Sequence, residues 1–132
     1  MAYLALTGAA ALAQDTPAPA GAKVYFINLR PGMHVTTPFL VQFGLSGMGV
    51  APAGTDAEGT GHHHLLIDTP APGKGEQLPV DDAHRHFGKG QTEAMITLPP
   101  GEHRLQLAVG DKWHFPLVPS VVSETVTVVV DK

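Results

Sequence analysis

Phe39-Leu40-Val41-Gln42-Phe43-Gly44-Leu45-Ser46 sets large apolar side chains, Phe39, Val41, Phe43 and Leu45, at every second position, between Leu40, Gln42 and Ser46. A period of two marks a strand that buries one face, because successive side chains leave a strand on opposite sides. The same period extends outward in both directions. Val24 and Phe26 alternate with Lys23 and Tyr25. Ala94-Ile96-Leu98, Leu105-Leu107-Val109 and Val126-Val128-Val130 each supply an inward face, with Glu93, Arg104, Gln106, Thr125 and Thr127 outward. Turn signals separate these runs: Arg30-Pro31-Gly32, Ala51-Pro52-Ala53-Gly54, Ala71-Pro72-Gly73 and Pro99-Pro100-Gly101. No amphipathic helix and no internal repeat is legible.

About seven short strands in roughly 110 residues predict an all-β fold, an immunoglobulin-like β-sandwich, with a small jelly roll or barrel as the alternative. In immunoglobulin order, strand A falls near 23–28, B near 39–46, C near 62–68, E near 92–98, F near 103–110 and G near 121–131. Residues 69–91 are read mostly as loop. Leu98-Pro99-Pro100-Gly101-Glu102-His103 resembles the E–F corner of such sandwiches, where an aromatic side chain bonds back to upstream backbone. His103 takes that structural place.

The 132 residues suffice for one domain with a modest core. A net charge of −4 with scattered Lys and Arg leaves no basic face, which argues against nucleic acid and against a polybasic membrane patch. The absence of cysteine removes disulfide and thiolate chemistry. Ala2 to Leu12 is a small-and-apolar stretch ending in Ala11-Leu12-Ala13, which fits a secretory cleavage pattern with the mature chain starting near Gln14, although no Lys or Arg precedes Lys23. It is too short to span a bilayer, so no membrane span is expected after its removal. Asp15 to Gly21 reads as an extended tether. The expectation is a periplasmic or secreted protein, with residues 1–21 outside the fold and 22–132 as the single domain.

Histidine carries the functional signal. The run His62-His63-His64 and the pair His84-x-His86 put five imidazoles within a short span. Imidazole is well suited to transition metals and also titrates near neutral pH. On a strand His62 and His64 project together, about 7 Å apart, while His63 faces the other way. Connectivity brings His62, His63, His64, His84, His86 and His114 to one end of the sandwich, and leaves His34 and His103 at the other. The candidate metal ligands are therefore His62, His64, His84, His86, His114 and Asp111, the carboxylate ligating directly or orienting an imidazole. Met48 lies at the same end as a candidate thioether, although it reads more simply as an apolar gap-filler. Histidine without cysteine suits copper first and zinc second, whereas magnesium and calcium require oxygen cages that this sequence lacks.

Two other readings compete with metal carriage or buffering. The histidines can form a structural hydrogen-bond network in a non-catalytic recognition module that binds another envelope protein. A metal-assisted enzyme with Glu93 or Asp111 as base is the third reading, but no motif fixes a substrate pocket. Asp81-Asp82 is read as a solvated charge pair, and Trp113 as an end cap or aromatic surface.

Several stretches resemble a bacterial exported family catalogued as domain of unknown function 4399. They are Phe43 to Gly54, Gly61-His62-His63-His64-Leu65-Leu66-Ile67-Asp68, His84-Arg85-His86-Phe87-Gly88 leading into Gln91-Thr92-Glu93, Leu98-Pro99-Pro100-Gly101 leading into Leu105-Gln106-Leu107, Gly110-Asp111 and Val122-Ser123-Glu124. The likeness covers nearly all of residues 23–131 and implies little about activity. In one respect this chain departs from it: His114-Phe115-Pro116-Leu117 has leucine where the resemblance implies a further histidine.

Overall fold

A computed structural model describes residues 15–132. The signal-like stretch and its cleavage position near Gln14 lie outside the described residues. Nine strands and no helix occur among those described: β1 (Lys23–Phe26), β2 (Met33–Thr36), β3 (Phe39–Ser46), β4 (Gly49–Val50), β5 (Thr60–Ile67), β6 (His84–Phe87), β7 (Glu93–Ile96), β8 (Gly101–Gly110) and β9 (Val126–Asp131). They form two sheets. One has the order β1-β3-β7; the other runs β2-β9-β8-β5-β4, with β6 also paired to β5. The fold is all-β, with nine strands where the hydrophobic alternation predicts about seven.

The alternation sorts side chains as the period of two requires. Phe39, Val41 and Phe43 of β3 meet Leu65 and Ile67 of β5, Leu105, Leu107 and Val109 of β8, and Val126, Val128 and Val130 of β9 in one apolar core. Burial of each such side chain contributes on the order of 1.5–3 kcal/mol, so this inter-sheet layer dominates stability. Met48 packs against the same core, in keeping with a gap-filling role. β5 is the exception to one-sided burial: every residue from Gly61 to Ile67 is buried. It lies between β8 on one side and β4 and β6 on the other. Its outer face is covered near Leu66 by a second apolar cluster of Leu66, Leu78 and Ala108, with Ala71 packed against it.

The corner before β8 is built from His103. Its Nε2 lies 2.8 Å from the Pro99 carbonyl and its Nδ1 lies 2.7 Å from Asp68 Oδ2, while Asp68 Oδ1 accepts the Arg104 amide at 2.7 Å. A carbonyl only accepts, so Nε2 must donate to it. Desolvation opposes a charge on this ring, but the bonds to Asp68 and Pro99 outweigh it and raise the pKa of His103. The ring thus joins two segments in the way an aromatic corner residue does.

The stretch read from sequence as a tether is not free-standing. Ala18 N–H donates to the Val118 carbonyl and Val118 N–H to the Thr16 carbonyl, both at 2.9 Å. Ala18 and Ala22 also pack against the main core.

Candidate metal centre

The site is assembled on the outer face of the larger sheet. His62 and His64 leave β5 on one side, and His63 leaves on the other, against Phe43 with ring centroids 5.1 Å apart. In register, His64 stands opposite His86 of β6 and opposite Ala108 of β8, while His62 stands opposite Gly110. The small residues at 108 and 110 leave room for the two rings: a Cβ on Gly110 would lie 2.8 Å from His64 Nε2. His114 comes from the loop after β8 and has φ 69°, a left-handed conformation uncommon outside glycine.

These four rings converge. Every pair among His62, His64, His86 and His114 has its centroids between 4.6 and 5.8 Å apart. One ligand atom from each lies within 4.8 Å of the other three. Two nitrogens on one ion at about 2.0–2.1 Å can be no more than about 4.2 Å apart, so small ring movements suffice to bind a single ion. His62 is 1 % exposed and His64 0 %, while His86 and His114 are half-buried and form the accessible side.

Polar satisfaction is incomplete. The four rings share one bond, His62 Nε2 to His64 Nε2 at 2.9 Å. His64 Nδ1, His86 Nε2 and His114 Nδ1 are buried without a partner, as are both nitrogens of His63. Buried polar atoms are normally paired, and a network that served only to order loops would satisfy its members. Burial, then the neighbouring His114 and His86, push the pKa of His62 down to about 4. Burial followed by His62 and His86 pushes that of His64 to about 2, and burial alone lowers that of His63 to about 4. His86 is lowered too, by burial and by His114. His62, His64 and His86 are therefore neutral at pH 7, with lone pairs available.

Of the six ligands expected from the sequence, four meet and two do not. His84 projects from the same strand as His86, but its Nδ1 lies 2.7 Å from Asp81 Oδ1, and it stands outside the group. Asp81 is thus engaged with His84 rather than simply solvated. Asp111 also stands outside the group. Its side chain shapes the loop instead: Oδ1 accepts the Trp113 and Phe115 amides at 2.8 and 3.0 Å, and the residue is 1 % exposed. His84 and His86 belong to a paired strand, not to a flexible loop. Leu117 is buried in the main core, so the four-ring group is complete without a further histidine there.

Sequence reasoning did not single out the glycines that admit the rings. A Cβ on Gly88 would lie 2.6 Å from His86 Nε2, and its φ is one that alanine tolerates. Gly88→Ala should therefore fold while displacing the His86 ring, and if the four rings hold a metal it should weaken that affinity about ten- to a hundredfold. Competitive metal titration beside a thermal melt checks this; unchanged affinity would mean that the His86 ring has room elsewhere. The Phe87-Gly88 pair after the second H-x-H was the only signal in the sequence.

Fold and site together define an all-β domain with a four-histidine group, two of its rings buried, on one sheet face. The chain belongs to the family described as Domain of unknown function (DUF4399), whose model matches residues 41–131 and spans all four histidines. No curated protein and no solved structure matches the chain.

Proposed function

We propose that this protein is an exported domain that binds one transition-metal ion, copper ahead of zinc, and carries or buffers it rather than performing chemistry on it. The observation that carries the reading is four imidazoles with ligand atoms within 4.8 Å of one another, three of them holding buried, unpartnered nitrogens. His62, His64, His86 and His114 would hold the ion. Imidazole suits copper and zinc alike, and the general affinity order favours copper(II). Four protein ligands saturate a four-coordinate ion, whereas catalytic sites keep a position open for water or substrate. Export is supported by the Ala2–Leu12 stretch and its small-x-small ending, and places the protein in the periplasm or outside the cell. An exported carrier delivers its ion to another envelope protein. The strand orders β1-β3-β7 and β2-β9-β8-β5 support an immunoglobulin-like reading of the two sheets.

The alternative, a recognition module with a structural histidine network, draws on Trp113, which is 51 % exposed beside His114. The unpartnered ring nitrogens weigh against the network itself.

Calorimetric titration of the chelator-stripped full chain with copper(II) and zinc(II) tests the proposal. One-to-one binding, tighter for copper and lost in the His62→Ala/His64→Ala double variant, is expected. Weak multi-site association, unchanged in that variant, would overturn it.

A further inference from the structure

We infer that Thr16 is a positioning residue of the metal centre, acting through Asp111 on the loop that presents His114; this rests on reading the four histidines as a metal site. Thr16 Oγ1 donates to Asp111 Oδ2 at 2.8 Å across 95 residues of sequence. The other carboxylate oxygen, Oδ1, holds the amides of Trp113 and Phe115, the residues on either side of His114. Two backbone bonds close the same turn: His114 N–H to the Asp111 carbonyl at 2.9 Å, and Asp111 N–H to the Phe115 carbonyl at 2.8 Å. His114 is thus fixed at its left-handed φ by groups that all converge on Asp111. Such a conformation is costly for a residue with a Cβ and persists only where the surroundings over-determine it.

Asp111 is buried, so both of its oxygens require donors. The loop's own amides occupy Oδ1; Oδ2 depends on a hydroxyl from a distant segment. Loss of that hydroxyl leaves a buried carboxylate oxygen to seek another donor, and the amides that hold the turn are already bonded to the same carboxylate. The backbone of the same segment pins the far end of the loop through the paired bonds between Thr16, Ala18 and Val118. Threonine is stiff about its first side-chain torsion, which aims the hydroxyl with little loss of freedom. Coupling of this kind is reciprocal: if docking of residues 16–18 raises metal affinity, metal must stabilise that docking by the same factor.

The test compares wild type, Thr16→Val and Thr16→Ser in the full chain, with copper(II) as the probe. Thr16→Val keeps shape and removes the hydroxyl; Thr16→Ser keeps the hydroxyl. Expected for Thr16→Val are copper affinity about tenfold weaker, an altered copper electron-paramagnetic-resonance spectrum, and faster metal-free hydrogen exchange at the Trp113 and Phe115 amides, with β3 exchange unchanged. Thr16→Ser restores all three, and copper slows exchange of the Ala18 amide in wild type. If wild type binds copper but Thr16→Val matches it in affinity, spectrum and exchange, or if Thr16→Ser is equally impaired, the positioning role is overturned and the metal site stands. If wild type itself binds no copper, the metal reading falls and takes this role with it.

Discussion

Replacing His64 by leucine should remove tight metal binding and leave the metal-free domain within about 2 kcal/mol of wild-type stability. His64 is wholly buried, with Nδ1 unpartnered and a single bond to His62. Leucine is close to imidazole in volume, so little cavity or strain is introduced. The substitution removes the unsatisfied Nδ1 of His64 but also strips the buried His62 Nε2 of its one bond, and these two effects, each about 1–3 kcal/mol, oppose each other. The metal side responds far more strongly. Four ligands share a binding free energy of about 10–16 kcal/mol in structural zinc sites, so one contributes roughly 3 kcal/mol. That corresponds to about a hundred- to a thousandfold loss of affinity. Denaturant unfolding of the metal-free proteins, beside competitive titration, reads both effects. A structural network predicts the reverse pattern, with stability lost by several kcal/mol, and that outcome would sink the metal reading. Near-unchanged stability with loss of binding is the pattern expected at a site kept for function.

The metal-free protein should also lose stability steeply between pH 6.5 and about pH 4. His62 and His63 titrate near 4 in the folded protein, and His64 lower still, whereas an unfolded histidine titrates near 6.5. The folded values are depressed, so the unfolded chain takes up protons first as the pH falls. Stability is therefore full above about 6.5 and is drawn down below it. At pH 5 each ring that stays neutral only in the folded state costs about 2 kcal/mol, and three such rings cost about 4–6 kcal/mol. Against a typical total of about 5–15 kcal/mol, this suffices to unfold a marginal domain. His103 works in the other direction: its pKa is raised, so its contribution is present below about 6.5 and lost as the pH rises through its folded value. Its partner Asp68 is 46 % exposed, and solvent screening keeps that opposing effect small. Urea midpoints at pH 7.5, 6 and 5 measure the balance. A flat profile would mean that the buried rings accept protons at little cost, and His63→Leu should flatten part of any slope that is seen.

Long strands such as β3 and β9 are plain in the sequence because each buries one face against one core. Phe39 to Ser46 and Val126 to Val130 carry that alternation openly. Three short strands were hidden. β2 is a four-residue edge strand, paired parallel to β9, with no buried residue, so burial leaves little imprint on Met33-His34-Val35-Thr36. β4 is only two residues long. β6 is His84-Arg85-His86-Phe87, whose composition reads as loop; its strand character comes from pairing with β5. The pairing of His62 with His64 on one face was legible from strand geometry alone. Selection between His84 and His86 was not, because it depends on which ring Asp81 captures. Asp111 likewise looks like a ligand in sequence, and only the amides of Trp113 and Phe115 on Oδ1 and the Thr16 hydroxyl on Oδ2 show how its oxygens are used. The role of Gly110 required knowing what stands across from His62.

The two-sided burial of β5 has a consequence for how the chain reaches its fold. Residues 63, 65 and 67 face the apolar core, while 62 and 64 face the other rings. A pairing slipped by one residue would exchange the two sets, driving His62 and His64 into the hydrocarbon layer and presenting His63 with Leu65 to the other side. Such an error forfeits core packing and donor convergence in a single step. The strand is thereby protected against misalignment by two unrelated penalties, one enforced by water and the other by the loss of the gathering of four imidazoles.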